Sequence, residues 1–559
     1  MNRQRYGFLW LWSAQLALVH GSAYSKAIKG WPLHKARSPR FSLALFSDSC
    51  KQMRLVQFLR RLHLLIPNYV HTCGPRRYTH GHVLHNPAAS TTSELRAAFS
   101  KKLPSFRCAG SAVTVCQHPK EFYTTLLAMI KRAKRRIVLS SLYIGTEEAE
   151  LVQTLHTALA VNPALTLSLH LDLLRSTRPE SPSTAAFLLP LIRSFGEERV
   201  KIYLFRTPKL KGLMAQMVPR RFDEGWGTWH AKIYAADDEV IVSGANLNTS
   251  YFTNRQDRYL HFRSQPGLTN YMIDYTQAMV PFAHLLSPAD SSSDSYNLLW
   301  TNQAAGPTSF EFQAQKALTG LQNRYKELTT NNPVEDDGLD TTLFPVIQSG
   351  VLGMRQEEET IETLFDSLSE SQIPATVDLT SGYFGLHGPY KSKIISSPEH
   401  VQWRVVAAGP KANGFYGSSG ISGRIPEAYT WFERRFWKAA LKAGKISAGP
   451  DSTIQLNEWE RANWTYHAKG IWVRFGDRGS LPTISMFGST NLNGRSARLD
   501  TELSFLMLTS SPELSRALAD EADNIREHAT QVDTSTWEAP ERRVRWTTKA
   551  MAQAIVGML

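Results

Sequence analysis

Short apolar runs alternate with amphipathic stretches along most of this 559-residue chain. RIVLSSLYIG (136–145) reads as a buried strand closing on a Ser/aromatic/Gly turn, and TVDLTSGYFG (376–385) repeats the pattern. Apolar spacing predicts helices over 121–134, 148–160, 311–327, 358–368 and 427–443, and over 184–194 in spite of Pro190. Further strands are predicted around 233–234, 240–242, 401–407, 471–473 and 484. Strands alternating with helices predict an α/β fold with helix-covered, largely parallel sheets.

The pattern occurs twice. Ser141 precedes His230 by 89 residues and Ser381 precedes His467 by 86, so one α/β unit recurs with an offset of about 240 residues. At equivalent places the two units carry His230-Ala-Lys232 and His467-Ala-Lys469. Each triplet leads through an apolar run to Asn-Leu-Asn, beginning at Asn246 and Asn491, and each Asn is followed eleven residues later by an acid, Asp257 or Glu502. A single His-x-Lys is as readily a strand bearing a partly buried His. The matched second copy points instead to one active site assembled from two halves.

Residues two apart on a strand share a face, so each His and Lys would project together. A neutral imidazole can attack phosphorus while a second imidazolium protonates the leaving oxygen. Two ammonium groups would neutralise the phosphoryl oxygens. Asp257 and Glu502 are placed to accept the second ring N–H of a His and fix its tautomer. The expected assembly is two α/β half-domains about a pseudo-twofold axis with both His at the seam.

These residues resemble the HxKxxxxD…GSxxN motif of the phospholipase D superfamily. The resemblance implies two phospholipase D-like halves with the active site at their interface. It adds Asp237 to the catalytic set and Ser489 beside Asn491; the first turn reads Ser243-Gly244, inverted, and Arg474 replaces the Asp in the second half. Longer phrases, SGANLNTSYFTNRQDRY (243–259), RTPKLKGL (206–213), NGFYGSSGISGRIPEAY (413–429) and TYHAKGIW (465–472), resemble the eukaryotic mitochondrial CDP-diacylglycerol–glycerol-3-phosphate 3-phosphatidyltransferase family. That resemblance implies CDP-diacylglycerol and glycerol 3-phosphate as substrates, a phosphatidyl-histidine intermediate and a place in cardiolipin synthesis on the matrix side of the inner mitochondrial membrane. His230, whose half keeps the motif's Asp, is the expected nucleophile. A phospholipase D-type hydrolase, a nucleic-acid phosphodiesterase and a non-enzymatic lipid-binding scaffold are the rivals.

Composition sharpens this reading. The net charge is +14, but residues 1–100 hold fourteen Lys or Arg against only Asp48 and Glu94, the profile of a mitochondrial presequence and a disordered basic extension. An apolar stretch at 8–19 also resembles a secretory signal. The remainder is close to neutral, which argues against a nucleic-acid partner. The expected divisions are 1–100, a first half over 101–286, a connecting segment over 287–342 and a second half over 343–559. Cys50, Cys73, Cys108 and Cys116 form no Cys-x-x-Cys or zinc pattern, no site residue is read as a metal ligand, and the chemistry requires no cofactor. No apolar run reaches about 18 residues, the length of a membrane-spanning helix. Leu210, Leu213, Met214 and Met217, among Lys209, Lys211, Arg220 and Arg221, form a basic amphipathic stretch suited either to a membrane surface or to a core-facing helix. The glycines at 414, 417, 420 and 423 form a candidate phosphate loop.

Overall fold

Sixteen strands carry the architecture of the computed structural model, which describes residues 87–179, 182–220, 222–290, 294–331, 338–447, 452–477 and 479–554. Half one contributes β1 (Val113–Cys116), β2 (Arg136–Ser140), β3 (Thr166–Asp172), β4 (Val200–Phe205), β5 (Ile233–Ala236), β6 (Glu239–Ser243), β7 (Tyr259–Phe262) and β8 (Ala283–Pro288). Half two contributes β9 (Thr341–Ser349), β10 (Ala375–Ser381), β11 (Val401–Ala408), β12 (Ile454–Trp459), β13 (Lys469–Phe475), β14 (Ile484–Gly488), β15 (Glu502–Thr509) and β16 (Ala529–Gln531). The first sheet runs β1-β7-β6-β5-β2-β3-β4-β8, and the second runs β9-β15-β14-β13-β10-β11-β12-β16. Every strand has its counterpart eight numbers later, so the duplication read from the motifs extends across whole sheets.

The sheets are mixed rather than largely parallel. β2, β3 and β4 run parallel, as do β10, β11 and β12. Helices Ala149–Val161 and Thr184–Phe195 provide the crossovers that parallel neighbours require in half one. Pro190 lies inside the second of these helices, which buries Leu188, Leu189, Leu191 and Ile192. The strands after each His-x-Lys turn back through short connections and are antiparallel. The exits of β2 and β6 and the entries of β5 and β7 therefore meet at one edge of the first sheet. The equivalent edge of the second sheet is built identically, and every motif residue of the site except Asp237 lies at one of these two edges.

One core joins the halves: Ala231, Ile233, Val242 and Phe262 pack in the same apolar cluster as Ala468, Trp472, Phe487 and Leu503. Phe262 stacks on Phe487 with centroids 6.0 Å apart. Helix Glu311–Asn331, over the stretch whose spacing predicted a helix, buries Ala314, Leu318 and Leu321 in this shared core and bridges the halves.

The expected boundaries shift. Residues 1–86 of the proposed presequence and extension lie outside the described residues. Residues 87–102 form a helix, because Leu95 and Phe99, four apart, are buried in the second half's core with Phe344. Burial of two such side chains contributes about 1.5–3 kcal/mol each. Phe106–Cys108 pairs with β9, so the chain touches half two before it builds half one. Tyr296–Trp300 extends the first sheet beyond β8 instead of serving as a linker. Cys108 and Cys116 are buried free thiols.

Candidate active site

Neither His-x-Lys triplet begins inside its strand's ladder. Both His lie just ahead of β5 and β13, because their backbones pair with the opposite half. His230 N–H donates to Thr501 O at 2.9 Å, and His467 N–H donates to Gln256 O at 2.8 Å. Trp229 bridges to Thr501, and Tyr466 pairs with Gln256, so the two contacts are related by the pseudo-twofold. Asp172, buried at the end of β3, accepts Trp229 N–H at 2.9 Å, and Trp229 Nε1–H donates to Ser140 Oγ at 2.8 Å. These bonds pin the chain just before His230.

The acids are exchanged. Glu502, from half two, holds His230 Nδ1 at 2.9 Å; Asp257, from half one, holds His467 Nδ1 at 2.6 Å. Both acids are fully buried, so neither half contains a complete His–carboxylate pair. With Nδ1–H donated to Glu502, Nε2 of His230 carries the free lone pair, whereas the ring of His467 faces both Asp257 and Lys469 Nζ.

Burial pushes the pKa of both His down. Lys232 adds to this at His230 while Glu502 opposes it. His467 falls further, because Lys469, Arg255, Lys232 and His230 all work in the same direction as burial. Burial also lowers Lys232 to about 7 and Lys469 to about 8, against the pull of Glu502 and Asp257. Burial raises Glu502, but His230, Lys232 and Ser489 outweigh it and bring the acid to about 2. Two imidazoles, two lysines and two acids thus share one buried site, where burial favours the neutral form of both His, both Lys and Asp257.

Lys232 Nζ donates to His230 O at 2.6 Å, and Lys469 Nζ stands 2.5 Å from His467 Nδ1 and 3.5 Å from Asp257 Oδ2. Asn246 Nδ2 donates to the Tyr251 hydroxyl at 3.1 Å, and its Oδ1 lies 3.4 Å from Leu142 N. The Oδ1 atom of Asn491 is buried without a hydrogen-bond partner. Ser489 Oγ accepts Leu503 N–H at 3.1 Å and bears on Glu502, supporting the acid from beneath. The inverted Ser243-Gly244 turn has a steric cause. A Cβ on Gly244, the counterpart of Ser489, would lie 2.4 Å from Asp257 Oδ1 and 2.5 Å from Lys469 Cδ.

Asp237 does not belong to the site. It occupies the β5–β6 turn at φ 52°, the far end of the strand from His230. Its carboxylate accepts the backbone N–H groups of Lys134, Arg135 and Arg136 at 2.8, 2.8 and 3.1 Å, tying the hairpin to the start of β2. At the equivalent place Arg474 ion-pairs with Asp378 on the neighbouring strand β10.

Several residues that the motif spacing did not single out complete the site. The Tyr251 hydroxyl lies 3.4 Å from His467 Nε2. Its counterpart five residues past Asn491 is Ser496, which instead donates to Glu502 Oε1 at 2.8 Å. Among the described residues nothing hydrogen-bonds His230 Nε2. Arg258 crosses the seam, donating to both oxygens of Glu521 at 2.9 and 2.8 Å and lying 3.8 Å over the Trp472 ring.

With this geometry in place, known proteins become informative. No family model matches the chain. Over 483 residues it is 33 % identical to the mitochondrial CDP-diacylglycerol–glycerol-3-phosphate 3-phosphatidyltransferase of Gallus gallus, covering 81 % of this chain and 84 % of that one. The enzyme of the same name from Saccharomyces cerevisiae is 34 % identical over 478 residues, covering 81 % and 89 %. The chain belongs to the CDP-diacylglycerol–glycerol-3-phosphate 3-phosphatidyltransferase family. Its fold is that of the Haemophilus influenzae phosphatidylserine synthase, with a TM-score of 0.62 over 84 % of this chain and 99 % of that one at 19 % identity.

The phrase NRQDRY acquires a physical meaning in this fold, because most of it is spent on the seam. Asn254 Nδ2 donates to Asn463 O at 2.7 Å and Arg255 Nε–H to Thr465 Oγ1 at 2.9 Å, while Gln256, Asp257 and Arg258 make the cross-half bonds described above. Tyr259 turns back into the outer core of half one and stacks on Phe122 at 4.7 Å.

Proposed function

We propose that this protein transfers the phosphatidyl group of CDP-diacylglycerol to glycerol 3-phosphate, releasing CMP and forming phosphatidylglycerophosphate through a phosphatidyl-histidine. The exchanged pairs, His230–Glu502 and His467–Asp257, carry this reading together with the family. They supply two imidazoles of fixed tautomer beside two buried ammonium groups. His230 is the nucleophile, because its Nε2 is open while that of His467 faces Tyr251. Nε2 of His230 bonds to the diacylglycerol-bearing phosphorus. The phosphorus–oxygen bond to CMP breaks, and the leaving oxygen takes its electron pair and a proton from His467. The negative charge of the donor favours that protonated form against burial. His467, now neutral, accepts the proton of the glycerol 3-phosphate 1-hydroxyl, whose oxygen displaces His230. Lys232, Lys469, Asn246 and Asn491 receive the phosphoryl oxygens, and these side chains perform the chemistry without a cofactor.

A lipid substrate calls for a site that works at a membrane surface. No described helix is long and apolar enough to cross a membrane. Helix Gly212–Met217 instead leaves Leu213 70 %, Met214 46 % and Met217 55 % exposed, while Leu210 beside it enters the core. Three exposed apolar side chains with Lys209 and Lys211 nearby suit peripheral contact with anionic lipid. The vertebrate relatives are named mitochondrial, and with the basic first hundred residues this favours the matrix face of the inner membrane, in cardiolipin synthesis. The test is incubation with CDP-diacylglycerol and labelled glycerol 3-phosphate. Label must enter phosphatidylglycerophosphate as CMP is released, and a quenched phosphatidyl adduct must map to His230. CMP release that ignores glycerol 3-phosphate makes the protein a hydrolase; an adduct on His467 reverses the roles of the two His.

A further inference from the structure

The pseudo-twofold is broken by charge beside the two His. Arg255 stands two residues before Asp257, and Asp500 stands two residues before Glu502. The partners are equivalent too: Arg255 Nε–H donates to Thr465 Oγ1 at 2.9 Å, while Asp500 Oδ1 accepts Thr228 N–H and Oγ–H, each at 2.9 Å. Those threonines each lie two residues before a catalytic His, Thr465 before His467 and Thr228 before His230. Matching positions in the two halves therefore hold opposite charges.

The two flanks also differ in how that charge is met. Asp500 is paired with Arg495, whose Nε is 3.0 Å from Oδ2. The Arg255 guanidinium lies 4.5 Å over the Tyr251 ring, and among the described residues no carboxylate forms an ion pair with it. Tyr251 and Tyr383 present ring edges to His467 at centroid distances of 5.1 and 5.3 Å, so the guanidinium shares one aromatic surround with that imidazole. The glycine-rich segment closes the far side: a Cβ on Gly414 would lie 3.2 Å from Arg255 Nη2 and 3.3 Å from the Tyr383 hydroxyl. Glycine there leaves room beside a fork-shaped donor suited to phosphate oxygens.

We propose that Arg255 forms a second phosphate subsite on the His467 flank, which takes the cytidylate phosphate of CDP-diacylglycerol. The proposal rests on the phosphatidyl transfer described above. An in-line displacement puts nucleophile and leaving group on opposite sides of the phosphorus. With His230 attacking, the bridging oxygen departs toward His467 with the bond's electron pair and receives that ring's proton. The cytidylate phosphate attached to it gains charge as the bond breaks, and the unneutralised guanidinium is there to meet it. The opposite flank holds the Asp500–Arg495 ion pair in place of an unneutralised cation.

The test is calorimetric titration of CMP into the full chain in detergent micelles, for wild type, Arg255→Gln, Arg255→Lys and Thr465→Val. Loss of a charge-assisted contact should weaken CMP about tenfold or more in Arg255→Gln, with partial recovery in Arg255→Lys. Thr465→Val removes the cross-half bond but keeps the guanidinium and should leave the Kd nearly unchanged. A Kd for Arg255→Gln within about twofold of wild type overturns the proposal. So does an equal loss in Thr465→Val, which would make Arg255 a strut. Turnover of the same variants separates the other phosphate source: a raised KM for glycerol 3-phosphate with unchanged CMP affinity assigns the subsite to the acceptor and also overturns it. If CMP binds through Arg255 but wild type forms no product with glycerol 3-phosphate, the acceptor reading fails and the subsite stands.

Discussion

Replacing Glu502 by Gln tests the exchanged wiring directly. The carboxylate lies 2.9–3.0 Å from His230 Nδ1 and takes a third bond from Ser496 Oγ at 2.8 Å, all in a fully buried setting. Gln preserves the shape but removes the charge that fixes the Nδ1–H tautomer and stabilises the positive ring formed when Nε2 bonds to phosphorus. Removing one partner of a buried charged pair costs about 3–5 kcal/mol. At about 1.4 kcal/mol per factor of ten, the first chemical step should slow by about 10²- to 10⁴-fold. Rapid-quench measurement of the CMP burst reads that step alone. Asp257→Asn should also slow catalysis, but through His467, and so through leaving-group protonation and acceptor deprotonation. Imidazole resonances provide the decisive control: Glu502→Gln must shift the titration of His230, in the other half, and leave that of His467 nearly in place. A burst unchanged within about threefold, or a shift confined to His467, would refute the exchange.

The alkaline limb of kcat/KM for the donor should fall between about pH 7 and 8 as Lys232 and Lys469 lose their protons, and a stopped assay across pH 6–9 reads it. The same lysines bind protons up to about pH 10.4 when unfolded, so their contribution to unfolding free energy should rise with pH through that window, as urea titrations at several pH values would record. Arg258→Leu strands Glu521 in the core and should lower stability by about 3–5 kcal/mol in urea unfolding, with much of the loss recovered in the Arg258→Leu, Glu521→Leu double variant. Asp237→Ala should cost about 1–3 kcal/mol, because three backbone N–H groups lose an acceptor, while kcat stays within about twofold. A collapse of kcat in a folded Asp237→Ala protein would return that residue to the mechanism.

The sheets were legible because buried strands and helical spacing recur at matching intervals in both halves. The His and Lys pairs were legible because strand periodicity and the Asn-Leu-Asn turns mark them twice. Spacing also found Asp257 and Glu502 as acids that orient a ring, but it could not tell which ring. That pairing depends on backbone contacts between His230 and Thr501 and between His467 and Gln256, more than 200 residues apart. Asp237 misled because its motif position sits at the opposite end of β5, where a carboxylate at positive φ satisfies a turn. Arg255 and Asp500 escaped for the opposite reason. A search for repeats looks for like residues at equivalent places, and here the chemistry lies in the difference.

The departures from symmetry act together. Tyr251 against Ser496 leaves Nε2 of His230 open and engages that of His467. Arg255 against Asp500 puts uncompensated positive charge on the His467 flank. Gly244 against Ser489 lets Lys469 crowd Asp257, while the Ser supports Glu502. The Tyr251 and Arg255 differences favour attack by His230 and departure toward His467. A hydrolase accepting water has little need for a distinct flank on which one phosphate monoester leaves and another substrate arrives. A transferase with two sequential partners does, and the exchanged acids keep that polarity from existing in either half alone. Restoring symmetry at one position should therefore blur the order of events before it abolishes chemistry. Tyr251→Phe, which removes one of the two groups facing His467 Nε2 and leaves Lys469 Nζ at 3.3 Å, should allow a minor phosphatidyl adduct on His467 beside the major one on His230, measurable by mass spectrometry of the quenched enzyme. An adduct that stays wholly on His230 would mean that the Arg255 flank and Lys469 set the direction without the Tyr251 hydroxyl.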